Sequence, residues 1–285
     1  MAEDNVRRPT VAGSFYEGTQ EGLVRSIEGC YATFLPGGAP AVVEDGPRKI
    51  IGLVSPHAGY TYSGPPAARG FAALAADGRP DVFVILGPNH GRAGTANAIQ
   101  TSGYWESPLG RSPIHEELAA RMAEALPHLS QGPQSLAGEH SLEVQLPFIQ
   151  HLYGTDAQIV PIMIWDQSLA EAQQIGDALA GALQDVDAVI IASTDMTHFE
   201  SAQRAAEQDD ILVRRMLALD PEGLLRERQR RGISMCGYGP VAAMLIAAKQ
   251  LGAGKAQLLD YTNSGAVTGL HGDVVAYLSL TVSKP

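Results

Sequence analysis

Short apolar runs alternate with longer stretches of helical character along this chain. Apolar, strand-forming runs occupy residues 50–54, 82–86, 158–164, 188–192, 256–261 and 274–282, with a shorter candidate at 95–101. Helical spacing of apolar residues, or an alanine-rich composition, marks residues 20–34, 65–76, 113–126, 168–183, 202–219, 221–230 and 240–251. Strands that alternate with helices predict an α/β fold, here a three-layer α/β/α arrangement with a largely parallel central sheet. Neither a repeat nor a linker divides the chain, so we predict one domain over residues 1–285.

Three of the predicted strands end in similar polar sequences, and each of these sequences contains a histidine. The strand at 50–54 leads to His57, the strand at 82–86 leads to His90, and the strand at 188–192 leads to Asp195 and His198. Open α/β sheets bind their ligands at the carboxyl ends of the parallel strands, so these sequences should meet at one edge of the sheet. The recurrence predicts a metal site, and the alternative is a set of histidines that only form hydrogen bonds at strand ends.

Cys236 is a third candidate ligand, because it lies in a glycine-rich turn just before a predicted helix. The amino end of a helix favours an anion, so this position should favour the thiolate. Imidazole and thiolate bind zinc, iron and copper, and three protein ligands with open positions are typical of a reactive metal site. The alternative is that Cys236 is a buried and inert cysteine.

Asp195 and His198 form a second candidate pair. If their segment, DMTH, becomes helical, residues i and i+3 lie on one face, and the carboxylate and the imidazole can act together. The pair would then supply a metal ligand, or a general acid and base whose tautomer the carboxylate fixes. In the alternative interpretation, Asp195 caps a helix and His198 lies on the surface.

Glu139 and His140 open the stretch EHSLEVQLPF, which follows a glycine and precedes an apolar helical face. Polar residues in this position often cap a helix, and Ser141 is the candidate capping side chain. The pattern is equally consistent with a functional role for the carboxylate and the imidazole.

The charge balance and the cysteine content narrow the classes of function. The chain has 20 Lys and Arg residues against 31 Asp and Glu residues, which gives a net charge of −11. This charge argues against nucleic acid or an anionic membrane surface as the main partner. The two cysteines, Cys30 and Cys236, are far apart, and no apolar segment has the length of a signal peptide or a membrane span. We therefore expect a cytoplasmic protein.

The motifs together resemble one known family. The stretches PHAGYTYSG, LGPNH, EHSLEVQLPF, STDMTHF and CGYGP are similar to those of the Memo family, also called AmmeMemoRadiSam system protein B. The amino-terminal RRPTVAGSFY and the closing TNSG extend the resemblance over nearly the whole chain. It implies a fold similar to that of the LigB-type, or class III, extradiol dioxygenases, which cleave catechol rings with non-haem iron.

In those dioxygenases, two histidines and a carboxylate hold Fe(II). By resemblance, His57 and His90 match the two histidine ligands, and Cys236 takes the third place, as in Memo proteins. His198 is similar to the acid and base histidine near the metal, with Asp195 beside it. Fe(II) is the metal that the resemblance implies, and the softer thiolate makes copper or zinc an alternative.

The resulting hypothesis is a cytoplasmic metal-binding protein with a mononuclear Fe(II) site that oxidises a small phenolic substrate with O2. We expect Tyr60, Tyr62, Glu139 and His140 to line the substrate pocket. One alternative is a non-catalytic metal carrier that works with radical-SAM and AMMECR1-like proteins, the partners that the resemblance implies. Another is a zinc hydrolase in which His198 or Glu139 activates a metal-bound water.

Overall fold

The structure, a computed structural model, describes residues 5–91, 94 and 96–285. In chain order its strands are β1 (Val6–Arg7), β2 (Ile50–Ser55), β3 (Val82–Pro88), β4 (Ala98–Ile99), β5 (Tyr104–Ser107), β6 (Gly110–Pro113), β7 (Ser130–Gln131), β8 (Gln158–Ile164), β9 (Ala188–Ser193), β10 (His198–Glu200), β11 (Lys255–Asn263) and β12 (Val274–Ser283). Its helices are α1 (Gln20–Ala32), α2 (Tyr60–Asp77), α3 (Glu116–Ala125), α4 (Leu146–Tyr153), α5 (Leu169–Ala182), α6 (Ala202–Leu217), α7 (Pro221–Arg231), α8 (Tyr238–Gln250) and α9 (Gly265–Thr268). Within these described ranges, no helix is both long and apolar enough to cross a bilayer.

The large central sheet has the strand order β10-β12-β2-β9-β3-β8-β4-β7, and β11 pairs with β12. Strands β2, β9, β3 and β8 are parallel to one another, whereas β12 runs antiparallel to β2. Each of these parallel strands is an almost continuously buried apolar run, which is typical of a strand covered on both faces. The predicted α/β fold with a largely parallel central sheet is therefore confirmed.

Helices cover both faces of this sheet. A Cβ atom at Gly52 would lie 2.3 Å from the Met244 sulfur of α8, and a Cβ atom at Gly70 of α2 would lie 2.7 Å from the side chain of Leu53. Successive residues of a strand point to opposite faces, so α8 and α2 lie on opposite sides of β2. Helix α5 packs on α8 and α1 packs on α2, which completes the three layers.

One helix begins earlier than the sequence predicts. Helix α2 starts at Tyr60 instead of residue 65, so its two prolines lie beyond the first turn. The hydroxyl of Ser63 donates a hydrogen bond to the carbonyl of Ala58, and this contact helps to hold the first turn in place. The short strand predicted at 95–101 corresponds to β4, and Thr95 lies outside the described residues.

A buried ion pair joins the amino-terminal arm to the segment before α4. The guanidinium of Arg7 donates to the carboxylate of Glu143, and both side chains are almost completely buried. The Glu143 carboxylate also accepts the backbone N–H groups of Thr10 and Val11 and the hydroxyl of Tyr16. Burial alone would raise the pKa of Glu143, but the charge of Arg7 and these hydrogen bonds outweigh it, and the pKa is lowered. The arm is therefore held by one fully satisfied carboxylate.

Replacing this carboxylate should cost much of the stability of the fold. We expect Glu143→Gln to lower the free energy of unfolding by about 3–5 kcal/mol near neutral pH, because it leaves Arg7 buried without a counter-charge. A carboxyl whose pKa is lowered by folding stabilises the fold above its unfolded pKa, near 4.5. The difference between wild type and variant should therefore narrow as the pH falls below about 4.5. Urea unfolding followed by circular dichroism at several pH values measures this difference in the free energy of unfolding.

The control is Asp210→Asn, which breaks the exposed pair that Asp210 forms with Arg214 on α6. We expect a change of less than about 1 kcal/mol from this substitution. A Glu143→Gln variant as stable as Asp210→Asn would contradict the importance of the buried pair.

Candidate metal centre

The candidate ligands lie at the carboxyl ends of neighbouring parallel strands. His57 follows β2 by two residues, and His90 follows β3 by two residues. Strand β9 lies between β2 and β3 and pairs with both. The sheet order therefore brings the loops that follow all three strands to one edge.

His57 is buried and is held by three polar contacts. Its backbone N–H donates to Asp195 Oδ1 at 2.8 Å, and its ring Nδ1 lies 2.9 Å from Ser193 Oγ. The other ring nitrogen, Nε2, lies 3.2 Å from the sulfur of Cys236. Burial, followed by the charges of the neighbouring His140 and His90, lowers the pKa of His57 well below its usual value. The ring is therefore neutral near pH 7, as a metal-binding imidazole must be.

The carboxylate of Glu139 positions His90 through two hydrogen bonds. Its Nδ1 lies 2.9 Å from Glu139 Oε1, and its backbone N–H donates to Glu139 Oε2 at 2.6 Å. The carboxylate is an acceptor, so Nδ1 carries a proton, and the neutral form of this ring has its lone pair on Nε2. The His90 ring lies edge to face with His57, with 5.3 Å between the centroids. Both imidazoles thus present a nitrogen to the same space.

Cys236 reaches this space from the turn between α7 and α8. Its sulfur accepts a hydrogen bond from the Asp195 N–H at 3.2 Å, and the Cys236 N–H donates to the Asp195 carbonyl at 3.3 Å. The next residue must be glycine, because a Cβ atom at Gly237 would lie 2.2 Å from the Ser193 carbonyl oxygen. The turn can approach β9 closely only without that side chain.

The protonation of Cys236 differs from the sequence-based expectation. Burial, followed by the charge of Asp195, raises the pKa of the thiol to about 12. The position before α8 was expected to favour the thiolate, and that expectation is wrong for the thiol on its own because desolvation outweighs the helix end. A cation that binds the sulfur must displace this proton, so metal binding here releases a proton.

The three candidate ligands fit a metal ion. The ligand atoms of His57, His90 and Cys236 all lie within 4.8 Å of one another. Bonds of about 2.1 Å to nitrogen and 2.3 Å to sulfur that meet at about 90–109° place the two atoms roughly 3.1–3.6 Å apart. The observed separation of 3.2 Å between sulfur and His57 Nε2 falls in this range. Two imidazole nitrogens and one sulfur are a donor set for iron, copper or zinc.

A second group, formed by His90, Glu139 and His140, also brings its ligand atoms within 4.8 Å. Glu139 is fully buried, and its oxygens already accept the backbone N–H groups of His90, His140 and Ser141. Burial raises the pKa of Glu139, but the interactions with His90 and the backbone donors outweigh burial and lower it far below its usual value. This occupied carboxylate is poorly placed to activate a water, which weakens the zinc hydrolase hypothesis.

Asp195 and His198 do not share a helical face, so that expectation is wrong. His198 begins the short strand β10, which pairs with β12, and no hydrogen bond joins its side chain to Asp195. The Asp195 carboxylate instead accepts the backbone N–H groups of His57 and Ala58. Burial raises the pKa of Asp195 to about 7 against these hydrogen bonds. Asp195 therefore shapes the His57 loop.

His198 is half-buried, and its Nδ1 is buried without a hydrogen-bond partner among the residues that the structure describes. Burial lowers the pKa of His198 and outweighs the interactions with the backbones of Met196 and Ser234, which raise it, and the charge of His90 lowers it further. The ring is neutral near pH 7, so it is able to accept a proton. The charge of His198 also lowers the pKa of His57, after the larger effects of burial, His140 and His90.

Comparison with known proteins identifies the family of this chain. The family model described as "Memo-like protein" matches residues 7–281. A MEMO1 family protein of Methanopyrus kandleri is 40% identical over 280 residues, which cover 98% of this chain and 99% of the relative. A MEMO1 family protein of Methanothermobacter thermautotrophicus is 41% identical over 279 residues, which cover 97% and 100%.

This chain belongs to the Memo family. A solved structure of an uncharacterized protein of Escherichia coli K12 aligns with a TM-score of 0.56 at 16% identity. The alignment covers 82% of this chain and 100% of that protein, so the two share a fold. The shared three-layer architecture is consistent with the LigB-type fold that the sequence motifs imply.

The remaining pocket candidates of this Memo-family chain lie in different environments. His140 stacks on His90 at 4.7 Å between ring centroids, and its side chain is 12% exposed. Tyr62 is 38% exposed at the start of α2. Tyr60 is buried, packs on Phe148 and donates its hydroxyl to the carbonyl of Val144, so its contacts are those of a core residue.

Three further residues in this Memo-family site were not singled out from the sequence. Ser193 contacts His57, and Gln145 donates to Ser193 Oγ and to the Pro56 carbonyl. Gln167 donates to the Cys236 carbonyl. Ser193 could have been recognised from the sequence, because it directly follows a buried apolar run. In the structure it pairs with Ser55 of β2. Nothing in the sequence indicated Gln145 and Gln167, because their hydrogen-bond partners are distant in sequence.

The close approach at Gly237 makes a specific prediction. We expect Gly237→Ala to move the Cys236 turn away from β9, lower Co(II) affinity at least tenfold and destabilise the fold by about 1–3 kcal/mol through overpacking. Competition with a chromophoric chelator measures the affinity, and urea unfolding measures the stability.

Gly29→Ala is the matched control, because a Cβ atom at this position of α1 would meet nothing within 4 Å. It should leave Co(II) affinity unchanged and stabilise the fold by about 0.5–1 kcal/mol. Equal Co(II) affinity in the two variants would show that the close packing at Gly237 does not position Cys236.

Proposed function

We propose that this protein is a mononuclear non-haem iron protein that binds Fe(II) through His57, His90 and Cys236 and oxidises a small phenolic substrate with O2. The observation that carries the proposal is the convergence of two imidazole nitrogens and one sulfur within 4.8 Å at the carboxyl edge of the sheet. Family membership supports it, because by resemblance His57 and His90 match the two histidine ligands and Cys236 takes the third place, as in Memo proteins. The free cysteines, Cys30 and Cys236, are consistent with a cytoplasmic location, which is part of the proposal.

When bound, iron would supply redox chemistry and open positions at which substrate and O2 meet, and the protein would supply orientation and proton transfer. His198 is the residue for proton transfer in this proposal. Its lowered pKa keeps it neutral, so it can accept the proton of a phenolic hydroxyl. His140 stacks on His90 and narrows the space beside it.

A groove beside the candidate site offers room for a small molecule. It has a volume of about 870 Å3 and is lined by residues that include Trp165, Gln167 and Tyr238. Gln167 contacts the Cys236 turn, and Trp165 lies 3.7 Å from the position of a Cβ atom at Gly91, next to His90. The groove therefore adjoins the loops of two candidate ligands, and we propose it as the approach for the substrate. Its described lining residues include no candidate ligand and none of Tyr60, Tyr62, Glu139 and His140, so it is a different surface from the pocket that the sequence predicts.

A second candidate function is a metal-carrying interaction protein that works with radical-SAM and AMMECR1-like partners. Phe199 favours it, because this residue is 76% exposed and adopts a left-handed backbone with φ of 60°. Bulky residues rarely adopt this conformation, and such strain is common at functional sites. Leu270, which is 71% exposed, lies on the adjoining segment, where the His271 carbonyl accepts the Ala202 N–H.

Ligation by Cys236 predicts an optical signature. Protein loaded with Co(II) should show a sulfur-to-cobalt charge-transfer band in the near ultraviolet, since thiolate is the sulfur ligand. We expect Cys236→Ala to lose the band and to weaken Co(II) binding by at least tenfold. The control is Cys30→Ala, which removes the only other cysteine, a buried residue of α1, and should keep the band. A band that survives in Cys236→Ala would contradict ligation.

The oxidase function is tested by oxygen uptake. Protein loaded anaerobically with Fe(II) should consume O2 when a member of a catechol panel is added, and His198→Gln should lower the rate by about 100-fold or more. His128→Gln, which changes a histidine paired with Glu171 away from the site, should retain the rate. Bound iron without uptake on any substrate would contradict catalysis and support the carrier function. Metal analysis of protein purified without added metal distinguishes iron from zinc and copper.

A further inference from the structure

The hydroxyl of Ser193 lies at the centre of a buried polar network behind His57. Its Oγ lies 2.7 Å from the Ser141 carbonyl oxygen, 3.0 Å from Gln145 Nε2 and 2.9 Å from His57 Nδ1. Ser193 is completely buried. These three contacts decide where the protons of the network lie.

Two backbone carbonyls fix the orientation of the network. A carbonyl can only accept, so the single hydroxyl proton of Ser193 is donated to Ser141. The Gln145 side chain lies 2.8 Å from the Pro56 carbonyl, so its amide nitrogen, and not its oxygen, faces that carbonyl and Ser193. Ser193 Oγ thus receives a hydrogen from Gln145.

The contact with His57 is then determined. The Ser193 hydroxyl has no second proton to donate, so its oxygen must accept the hydrogen of His57 Nδ1. In the neutral ring this proton leaves Nε2 with a lone pair, and Nε2 faces the sulfur of Cys236 at 3.2 Å. The ligand nitrogen is therefore ready before a metal ion arrives.

We propose that Ser193 is a positioning residue that fixes the tautomer of His57, so that Nε2 is available as a metal ligand. Gln145 orients Ser193 by filling one of its acceptor positions. The proposal depends on one part of the proposed function, namely that His57, His90 and Cys236 form the metal site. The tautomer itself is a property of the protein without metal.

His90 is positioned by different chemistry. Its Nδ1 faces the carboxylate of Glu139, whereas His57 faces a neutral hydroxyl. A carboxylate partner makes an imidazole a stronger base than a hydroxyl partner does. The two histidine ligands are therefore unequal, and loss of Ser193 should affect His57 alone.

The first test measures the tautomer without metal. Long-range ¹H–¹⁵N correlation spectra of the 15N-labelled protein distinguish a ring protonated at Nδ1 from one protonated at Nε2, and His57→Gln identifies the His57 signals. The wild type should show His57 protonated at Nδ1. Ser193→Ala should change His57 to the other tautomer or to a mixture, whereas His90 should stay protonated at Nδ1. A wild-type His57 ring protonated at Nε2 would overturn the proposal without any variant.

The second test measures Co(II) affinity by competition with a chromophoric chelator. Ser193→Ala should weaken binding by about 10–100-fold, the usual effect of losing a hydrogen-bond partner of a metal-ligating histidine. Ser193→Thr keeps the hydroxyl and should restore most of the affinity. Ser55→Ala is the matched control, because Ser55 is paired with Ser193 on β2, is equally buried and has a hydroxyl without a hydrogen-bond partner among the described residues.

The outcomes separate the possibilities. Weaker Co(II) binding in Ser193→Ala with an unchanged His57 tautomer would show that packing, and not the tautomer, is responsible, and would overturn the proposal. An equal loss of Co(II) affinity in Ser55→Ala would also overturn the proposal. Absence of oxygen uptake contradicts the oxidase function but leaves the tautomer and the Co(II) affinities as measured, so the two proposals can fail separately.

Discussion

The candidate site depends on one short piece of backbone, residues 193–195, which runs between the two histidine loops. The Thr194 N–H donates to the Ser55 carbonyl and continues the pairing of β9 with β2. Asp195 then binds the His57 backbone through its carboxylate and the Cys236 turn through its main chain. Strand β9 pairs in parallel with β3 as far as Ala192 and with β2 as far as Ser193, so this segment starts from a fixed position. The His57 loop and the Cys236 turn, which it binds, are held with it.

Much of this arrangement could be predicted from the sequence. A buried parallel strand is a continuous apolar run, and the residue that ends it must lie at the carboxyl edge, so the positions of His57 and His90 followed from local pattern. Cys236 could be connected to them only through family resemblance, because its turn reaches the sheet through long-range contacts. The absence of a side chain at Gly237 permits that contact, and one glycine in a glycine-rich turn gives no such signal.

The errors have a common physical cause. Asp195 and His198 are spaced as they would be on one face of a helix, but the pairing of β10 with β12 prevents a helix from forming there. Cys236 precedes a helix, yet burial controls its pKa. In each case a tertiary contact or desolvation, which local sequence does not encode, outweighs a local preference. Glu139 is another residue whose role depends on tertiary contacts, because its carboxylate oxygens accept hydrogen bonds from backbone N–H groups of two separate loops.

A thiol among the three candidate ligands affects the electrostatics of this edge of the sheet. A thiol with a raised pKa is neutral until a cation binds, so neither Cys236 nor the ring of His57 carries a charge of its own near pH 7. The carboxylate of Glu139 beside His90, whose pKa is lowered, supplies a fixed negative charge at this edge. The Glu139 carboxylate would favour a cation held by these ligands, and binding of that cation to the sulfur would require release of the thiol proton. The proposed tautomer of His57 would matter in such a site, because neither its ring nor the Cys236 thiol has a net charge that attracts an ion.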